Sequence, residues 1–153
     1  MKVNHYISQG DNCKMNSSIN KILVTDWMWH LSRVLITFMF WITGVRFILN
    51  FHGAVMLVTS FGLHPIIPIA LLTLVTVLVG SFFILIDRYV WLGSGILGVF
   101  TFLTILLVHD FWNLKGLDAQ LALAEAESHI TIIGALITVA ILSSLRLKMK
   151  ERS

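Results

Sequence analysis

The chain has 153 residues, of which 57% are hydrophobic and only 12% are charged. Soluble domains carry about 25% charged residues, because they must cover their surface with groups that water solvates. The composition therefore excludes a soluble enzyme, a disordered chain and a disulfide scaffold, and it indicates an integral membrane protein.

The basic excess, a formal net charge of +3, does not indicate nucleic-acid binding, because the lysines and arginines flank apolar segments and form no stripe. Cys13 is the single cysteine, so a paired-thiol redox mechanism is excluded. No apolar core follows the first lysine, so no signal peptide is predicted. Residues 1–14 are expected to be dispensable, with Met15 as an alternative start.

Four apolar segments approach or reach the roughly 20 residues that a helix needs to cross a bilayer. Backbone polar groups in lipid must be satisfied within the segment, so the sequence predicts an all-α, four-helix transmembrane bundle. The predicted spans cover residues 31–49, 66–86, 89–108 and 130–145, and the last can extend backwards into the helix-forming residues 116–128. They form one domain, residues 27–146, between a polar tail at 1–26 and a basic tail at 147–153.

The connections between the predicted spans differ in length. The second and third spans are joined through Asp87 and Arg88, which predicts a tight helical hairpin. Residues 50–65 are mildly apolar but too short to cross, so we interpret them as an interfacial or partly re-entrant segment. Pro65 and Pro68 suit the first turn of the second span, where a missing N–H costs little.

The distribution of basic residues predicts the orientation of the bundle. An even number of spans places both termini on one side, and that side carries all of the 11 lysines and arginines except Arg46 and Lys115. The sequence therefore predicts a multi-pass membrane protein with both termini in the cytoplasm.

The histidines are the most informative polar residues. His109 follows the third span and His129 precedes the fourth, so their rings can face each other across the loop. Imidazole beside carboxylate can bind a metal, relay a proton or hold a quinone carbonyl. The residues predicted on this outer side are His52, His64, His109 and His129, with the acids Asp110, Glu125 and Glu127.

The same residues are also common at any membrane–water interface, where they need no ligand. No H-x-x-x-H or C-x-x-C spacing supports a metal site, and a haem held by two histidines is not favoured. The candidate ligand-binding residues are Arg46, His52, His64, His109, Asp110, Trp112 and His129.

Arg33 and Arg46 lie about 20 Å apart along the first predicted helix. Arg33 is expected to snorkel to the interface as an anchor. Arg46 is interpreted either as an anchor, as a partner for Asp110 or another outer acid, or as an attraction for an anionic ligand.

The middle of each predicted span carries no ionisable residue, which disfavours a proton pump or an ion-coupled carrier. Small residues four apart predict helix packing, at Thr76 with Gly80 and at Ser94 with Gly98. The string GSGILG at 93–98 matches a dinucleotide-binding pattern, but it lies inside a span without a preceding strand, so we reject that match.

The order of several short elements resembles the DoxX family of small bacterial membrane proteins, especially its YphA-like inner-membrane branch. The resemblance covers about residues 30–145, and its most specific element is the string HDFW at 109–112. The other elements are Gly44, NFHG at 50–53, Gly62, VGS at 79–81 and IGAL at 133–136.

The chain departs from the family pattern at polar positions. Phe47, beside Arg46, stands where the family commonly has a lysine, and Val77 stands where it often has a glutamate. A Lys-Asn pair before the last span is replaced by Ser128 and His129. The resemblance therefore implies the fold, whereas these changes put a shared activity in doubt.

The resemblance implies quinone-linked chemistry, because the family name comes from a subunit of a thiosulfate:quinone oxidoreductase and other relatives look like partners in oxidative-stress complexes. Our leading interpretation is an accessory inner-membrane protein, not an enzyme by itself, with an outer polar pocket for a quinone. His109 and Arg46 would supply hydrogen-bond donors to the quinone carbonyls. Two alternatives stay open: an oligomeric carrier of neutral or weakly anionic solutes, and a structural partner of other membrane proteins that binds through the Ser94/Gly98 face.

Overall fold

Helices dominate the residues that the computed structural model describes, 21–109 and 111–152, and none of those residues lies in a strand. We number five helices in chain order: α1 (Asp26–Leu49), α2 (Phe51–Ser60), α3 (Ile66–Leu85), α4 (Val90–Leu107) and α5 (Gly116–Lys150). The chain divides into two compact units, Met1–Ser32 and Arg33–Ser153. The expectations for residues 1–14, Cys13 and Met15 fall outside the described residues.

Helices α1, α3, α4 and α5 are each long and apolar enough to cross a membrane. This confirms the predicted four-helix transmembrane bundle. The fourth span, predicted at 130–145, belongs to one continuous helix of 35 residues. At 1.5 Å per residue α5 is about 52 Å long, well beyond the roughly 30 Å of a bilayer's hydrocarbon core.

Helix α1 begins five residues before the predicted span, because its start is capped. The Thr25 hydroxyl accepts a hydrogen bond from the Met28 N–H at 3.4 Å and donates to the Ile22 carbonyl at 2.7 Å. Asp26 follows in the first turn, where the helix dipole favours a negative charge.

Helices α1 and α3 run antiparallel. Arg33, near the start of α1, meets the end of α3 at Ile84, and Gly44 further along α1 faces Leu78. A Cβ added at Gly44 would lie 2.5 Å from a methyl carbon of Leu78. Glycine therefore allows a close approach of the two helices at this level.

Helices α3 and α4 form the predicted hairpin and cross most closely at two glycines. A Cβ added at Gly93 would lie 2.5 Å from the Gly80 carbonyl oxygen, and one added at Gly80 would lie 2.7 Å from Leu97. Gly98, by contrast, has no atom within 4 Å of an added Cβ among the described residues. Close contact of α4 with α3 therefore involves Gly93 rather than Gly98, and Ser94, the residue after Gly93, is buried.

The segment between the first two spans contains α2. The Asn50 side chain caps its start by accepting a hydrogen bond from the Gly53 N–H at 2.9 Å. At its end, Gly62 has a φ of 67°, and the N–H groups of Gly62 and Leu63 bond to the carbonyls of Thr59 and Val58. This pattern is a Schellman motif, in which glycine supplies the left-handed residue. The segment between the first two spans is thus a capped helix that packs Ala54 and Val58 inwards.

Arg33 does not snorkel to the surface as expected, since only 1% of it is exposed. Its guanidinium donates to the carbonyls of Ile84 at 2.9 Å and Leu85 at 3.2 Å, and it lies 3.2 Å from the Asp87 carboxylate. The last carbonyls of a helix have no partner within it and carry its negative dipole. Arg33 therefore caps α3, and it does so beside Asp87, which follows α3 with a φ of 58°.

Candidate functional site

Two histidines from different helical regions meet at one end of the bundle. His109 lies just after α4, His129 lies one third of the way along α5, and their ring centroids are 4.7 Å apart at an interplanar angle of 59°. His109 is buried, with 8% of its surface exposed, whereas His129 is partly exposed. The two rings thus form an imidazole pair. The sequence indicated this contact, because the two residues flank the loop between the third and fourth spans.

Glu125 completes a cluster with this pair. Its Oε2 lies 3.1 Å from Nδ1 of His109, and its side chain is 66% exposed. The backbone carbonyl of Glu125 also bonds to Nδ1 of His129, at 2.7 Å. One residue of α5 therefore orients both rings, and it links the buried His109 to the surface.

The environment lowers the pKa of His109 below its usual 6.5. Burial is the main cause, since it disfavours the charged imidazolium, and the neighbouring His129 acts in the same direction. The Glu125 carboxylate opposes them without reversing the shift. His109 is therefore neutral at neutral pH.

The histidine cluster lies at one end of a large cavity of about 1130 Å³ that residues of all five helices line. One face of α4 lines it over nearly the whole helix, from Trp91 to Leu107, a length of about 25 Å at 1.5 Å per residue. On α5, residues Glu125, Ser128, His129 and Ile132 share the face that meets the cavity, because they are three, four and seven positions apart. The other walls are mainly apolar. The cavity is therefore long and hydrophobic, with polar groups at the histidine end.

The cavity opens through the side of the bundle. Among its lining side chains, Leu72, Trp91, Val99 and Leu107 are each more than half exposed. These apolar groups lie on spanning helices, whose outer surface faces lipid in a membrane. A molecule dissolved in the bilayer thus has a direct route into the cavity.

The remaining predicted site residues lie elsewhere. Arg46, His52, His64 and Trp112 are exposed, and none of them lines this cavity. Trp112 packs its ring edge-on against Phe111, with centroids 4.9 Å apart. Asp110 lies outside the described residues, so its expected pairing with Arg46 does too. Among the members of the predicted set that the structure describes, it brings together His109 and His129.

Glu125 belongs to the cluster and Ser128 lines the cavity, but neither was among the predicted ligand-binding residues. A signal was present, because Glu125 and His129 are four positions apart and share one face of a helix. Thr76, predicted as a packing residue, also lines the cavity. Among residues 21–109 and 111–152, no group of three His, Cys, Asp or Glu side chains is arranged to hold a metal ion.

Four spanning helices around a laterally open apolar cavity define a small multi-pass membrane protein. The DoxX family model matches residues 28–110, which is more than half of the 153 residues. The chain therefore belongs to the DoxX family, as its resemblance predicted. The matched region ends before α5, which supplies Glu125 and His129. No curated protein and no solved structure matches the chain.

Proposed function

We propose that the protein is an accessory subunit of a quinone-linked membrane complex and that its inter-helical cavity binds a lipid-soluble quinone or quinol. The observation that carries this proposal is the cavity of about 1130 Å³ with the His109–Glu125–His129 cluster at one end. Such ligands have a ring with two oxygens and a long isoprenoid tail. The cavity offers polar groups for the ring at one end and apolar walls for the tail along α4.

The size and opening of the cavity support a ligand of this kind. Pockets for small molecules usually have volumes of about 300–1,000 Å³ and combine apolar walls with a few placed polar groups. The cavity, at about 1130 Å³, is slightly larger than this range, which suits a ligand with a tail. Its lateral opening suits a molecule that resides in the membrane.

Gly95 provides a sharp test, because it lines the cavity and has no atom within 4 Å of an added Cβ among the described residues. We expect Gly95→Leu to fill the cavity without disturbing helix packing. The measurement is the quinone content of an organic extract of the protein purified in mild detergent from bacterial membranes. Wild-type protein should carry close to one quinone per chain, and Gly95→Leu should lose most of it.

Gly98→Leu is the matched control, since Gly98 lies one turn further along α4 with the same open space but outside the cavity lining. It should retain the quinone. Absence of quinone from the wild-type protein, or equal retention by both variants, would contradict the proposal. Loss of a partner protein only in Gly98→Leu would instead favour the structural-partner alternative.

The proposed location is the bacterial inner membrane, with both termini in the cytoplasm. The support is the distribution of the 11 lysines and arginines, of which only Arg46 and Lys115 fall on the opposite side. In this orientation the histidine cluster faces the outer side of the membrane.

A further inference from the structure

Resting on the proposed function, we infer that the polar end of the cavity selects the reduced form of its ligand, a quinol with hydroxyl groups, over the oxidised quinone. The distinction between the two forms is one of hydrogen-bond direction. A quinol hydroxyl can donate a hydrogen bond, whereas a quinone carbonyl can only accept one. Selectivity therefore depends on which groups at this end have hydrogen atoms to offer.

His129 lines the cavity, and the hydrogen bond at its Nδ1 fixes which tautomer the neutral ring adopts. Its Nδ1 lies 2.7 Å from the Glu125 backbone carbonyl, and a carbonyl oxygen only accepts, so Nδ1 must carry the hydrogen. In a neutral imidazole the other nitrogen is then an acceptor. With the hydrogen on Nδ1, the neutral form of this ring accepts a hydrogen bond at Nε2 and donates none there.

His109 has the same polarity. Its Nδ1 lies 3.1 Å from the Glu125 carboxylate, a distance at which an N–H group donates to an oxygen. Burial keeps this ring neutral at neutral pH by lowering its pKa, so its Nε2 is also an acceptor. Glu125 therefore accepts the Nδ1 hydrogen of each ring, through its backbone carbonyl and its carboxylate. In the neutral rings, the two Nε2 atoms are then acceptors.

The hydroxyl groups nearest in sequence to the two histidines also donate their hydrogens to backbone carbonyls. Ser128 donates to the Ala124 carbonyl at 2.9 Å, and Thr104 donates to the Thr101 carbonyl at 2.7 Å. Both side chains line the cavity. The histidine end thus presents mainly lone pairs, which match a hydroxyl and repel a carbonyl.

The test compares three ligands of nearly the same shape: a decyl-substituted benzoquinone, its hydroquinone, and the dimethyl ether of that hydroquinone, which has no O–H group. Binding to the full chain in phosphatidylcholine nanodiscs is measured without oxygen, with protein-free nanodiscs as the reference for partition into lipid. We expect the hydroquinone to bind about tenfold more tightly than either other ligand, which is the ratio that one ordinary hydrogen bond gives.

The outcomes separate this inference from the proposed function. A quinone that binds as tightly as the hydroquinone, or more tightly, overturns the inference and leaves the proposed function standing. A dimethyl ether that binds as tightly as the hydroquinone also overturns the inference, because recognition would then need no O–H group. If none of the three ligands binds, the proposed function fails and the inference fails with it.

Replacement of both rings provides a second readout. The glutamine side chain has a donor and an acceptor and can rotate to present either. We expect the double variant His109→Gln/His129→Gln to lower the tenfold preference towards unity, while binding of the dimethyl ether shows that the cavity persists. His64→Gln, at an exposed histidine outside the cavity lining, is the control. An undiminished preference in the double variant overturns the inference.

Discussion

Arg33 and Arg46 carry the same charge on the same helix, and the structure gives them opposite surroundings. Arg33 is buried and holds the last carbonyls of α3 together with Asp87, whereas Arg46 is exposed. Removal of a buried guanidinium leaves carbonyls and a carboxylate without their donor, and such losses cost more than the bond itself contributed. The two arginines should therefore differ sharply in their effect on stability.

We expect Arg33→Ala to lower the free energy of unfolding by about 2–4 kcal/mol. Arg46→Ala should change it by about 0.5 kcal/mol or less, as exposed substitutions usually do. Denaturation in mixed micelles, followed by circular dichroism, measures both. Equal effects of the two variants would mean that the capping of α3 by Arg33 contributes little.

His109 should make stability depend on pH. Its folded-state pKa is lowered from 6.5 by burial and by His129, and Glu125 is the opposing charge beside it. The unfolded chain then binds a proton more readily than the folded one, so stability is full above about pH 6.5 and falls as the pH drops towards the lowered pKa.

The measurement is the free energy of unfolding between about pH 7.5 and 5 for the wild-type protein and for His109→Gln, which does not titrate. The free energy of unfolding of His109→Gln should fall less steeply with decreasing pH than that of the wild-type protein. The control is His52→Gln, at an exposed histidine, which should show the same pH dependence as the wild-type protein. If the free energy of unfolding falls equally with pH in the wild-type protein and in His109→Gln, His109 is not the source of the pH dependence.

Glu125 illustrates what the sequence could and could not predict at this scale. The spacing of Glu125 and His129 places them on one helical face, and the position of His109 after the third span places it nearby. The convergence of the three residues depends on the rotation of α5 about its own axis. Hydropathy leaves that rotation open, because α5 is apolar on several sides over its spanning part.

Among the elements, the α3–α4 hairpin depends on backbone contact at Gly80 and Gly93. A methyl group at Gly93 would lie 2.5 Å from the Gly80 carbonyl oxygen, and backbone atoms cannot yield as a flexible side chain can. We expect Gly93→Ala to destabilise the protein by about 1–3 kcal/mol, the usual cost of overpacking.

Gly98→Ala, on the same helix, should be neutral or stabilise the protein by up to about 1 kcal/mol, because alanine is the better helix former where space is open. Thermal unfolding of the two variants in the same detergent gives the comparison. A Gly93→Ala protein as stable as wild type would show that the two helices separate at little cost.

The elements themselves were predictable because membrane spans follow from length and hydropathy alone. The first three spans differ from α1, α3 and α4 by one or two residues, except at the start of α1, where the Thr25 cap extends the helix. Of the two glycines at the α3–α4 crossing, Gly80 was predicted as a packing residue and Gly93 was not. A small-residue spacing within one helix says which residues share a face, and it does not say which face meets the neighbour.

For the whole molecule, the proposed orientation is open to a direct test. Green fluorescent protein fused after Lys150 should fluoresce, because it folds in the cytoplasm, and alkaline phosphatase at that position should be inactive. Alkaline phosphatase fused after Lys115 should be active on the outer side. The reverse pattern at both positions would place the histidine cluster on the cytoplasmic side.

Because the cavity opens laterally, the affinity of this protein for a ligand must be expressed relative to the ligand's concentration in the membrane. A ligand that arrives sideways never leaves the bilayer, so the relevant reservoir is two-dimensional and concentration is a mole fraction of lipid. Occupancy then follows the composition of the surrounding membrane and is insensitive to the volume of water around the cell. Two membranes with the same amount of ligand but different lipid content would fill the cavity to different degrees.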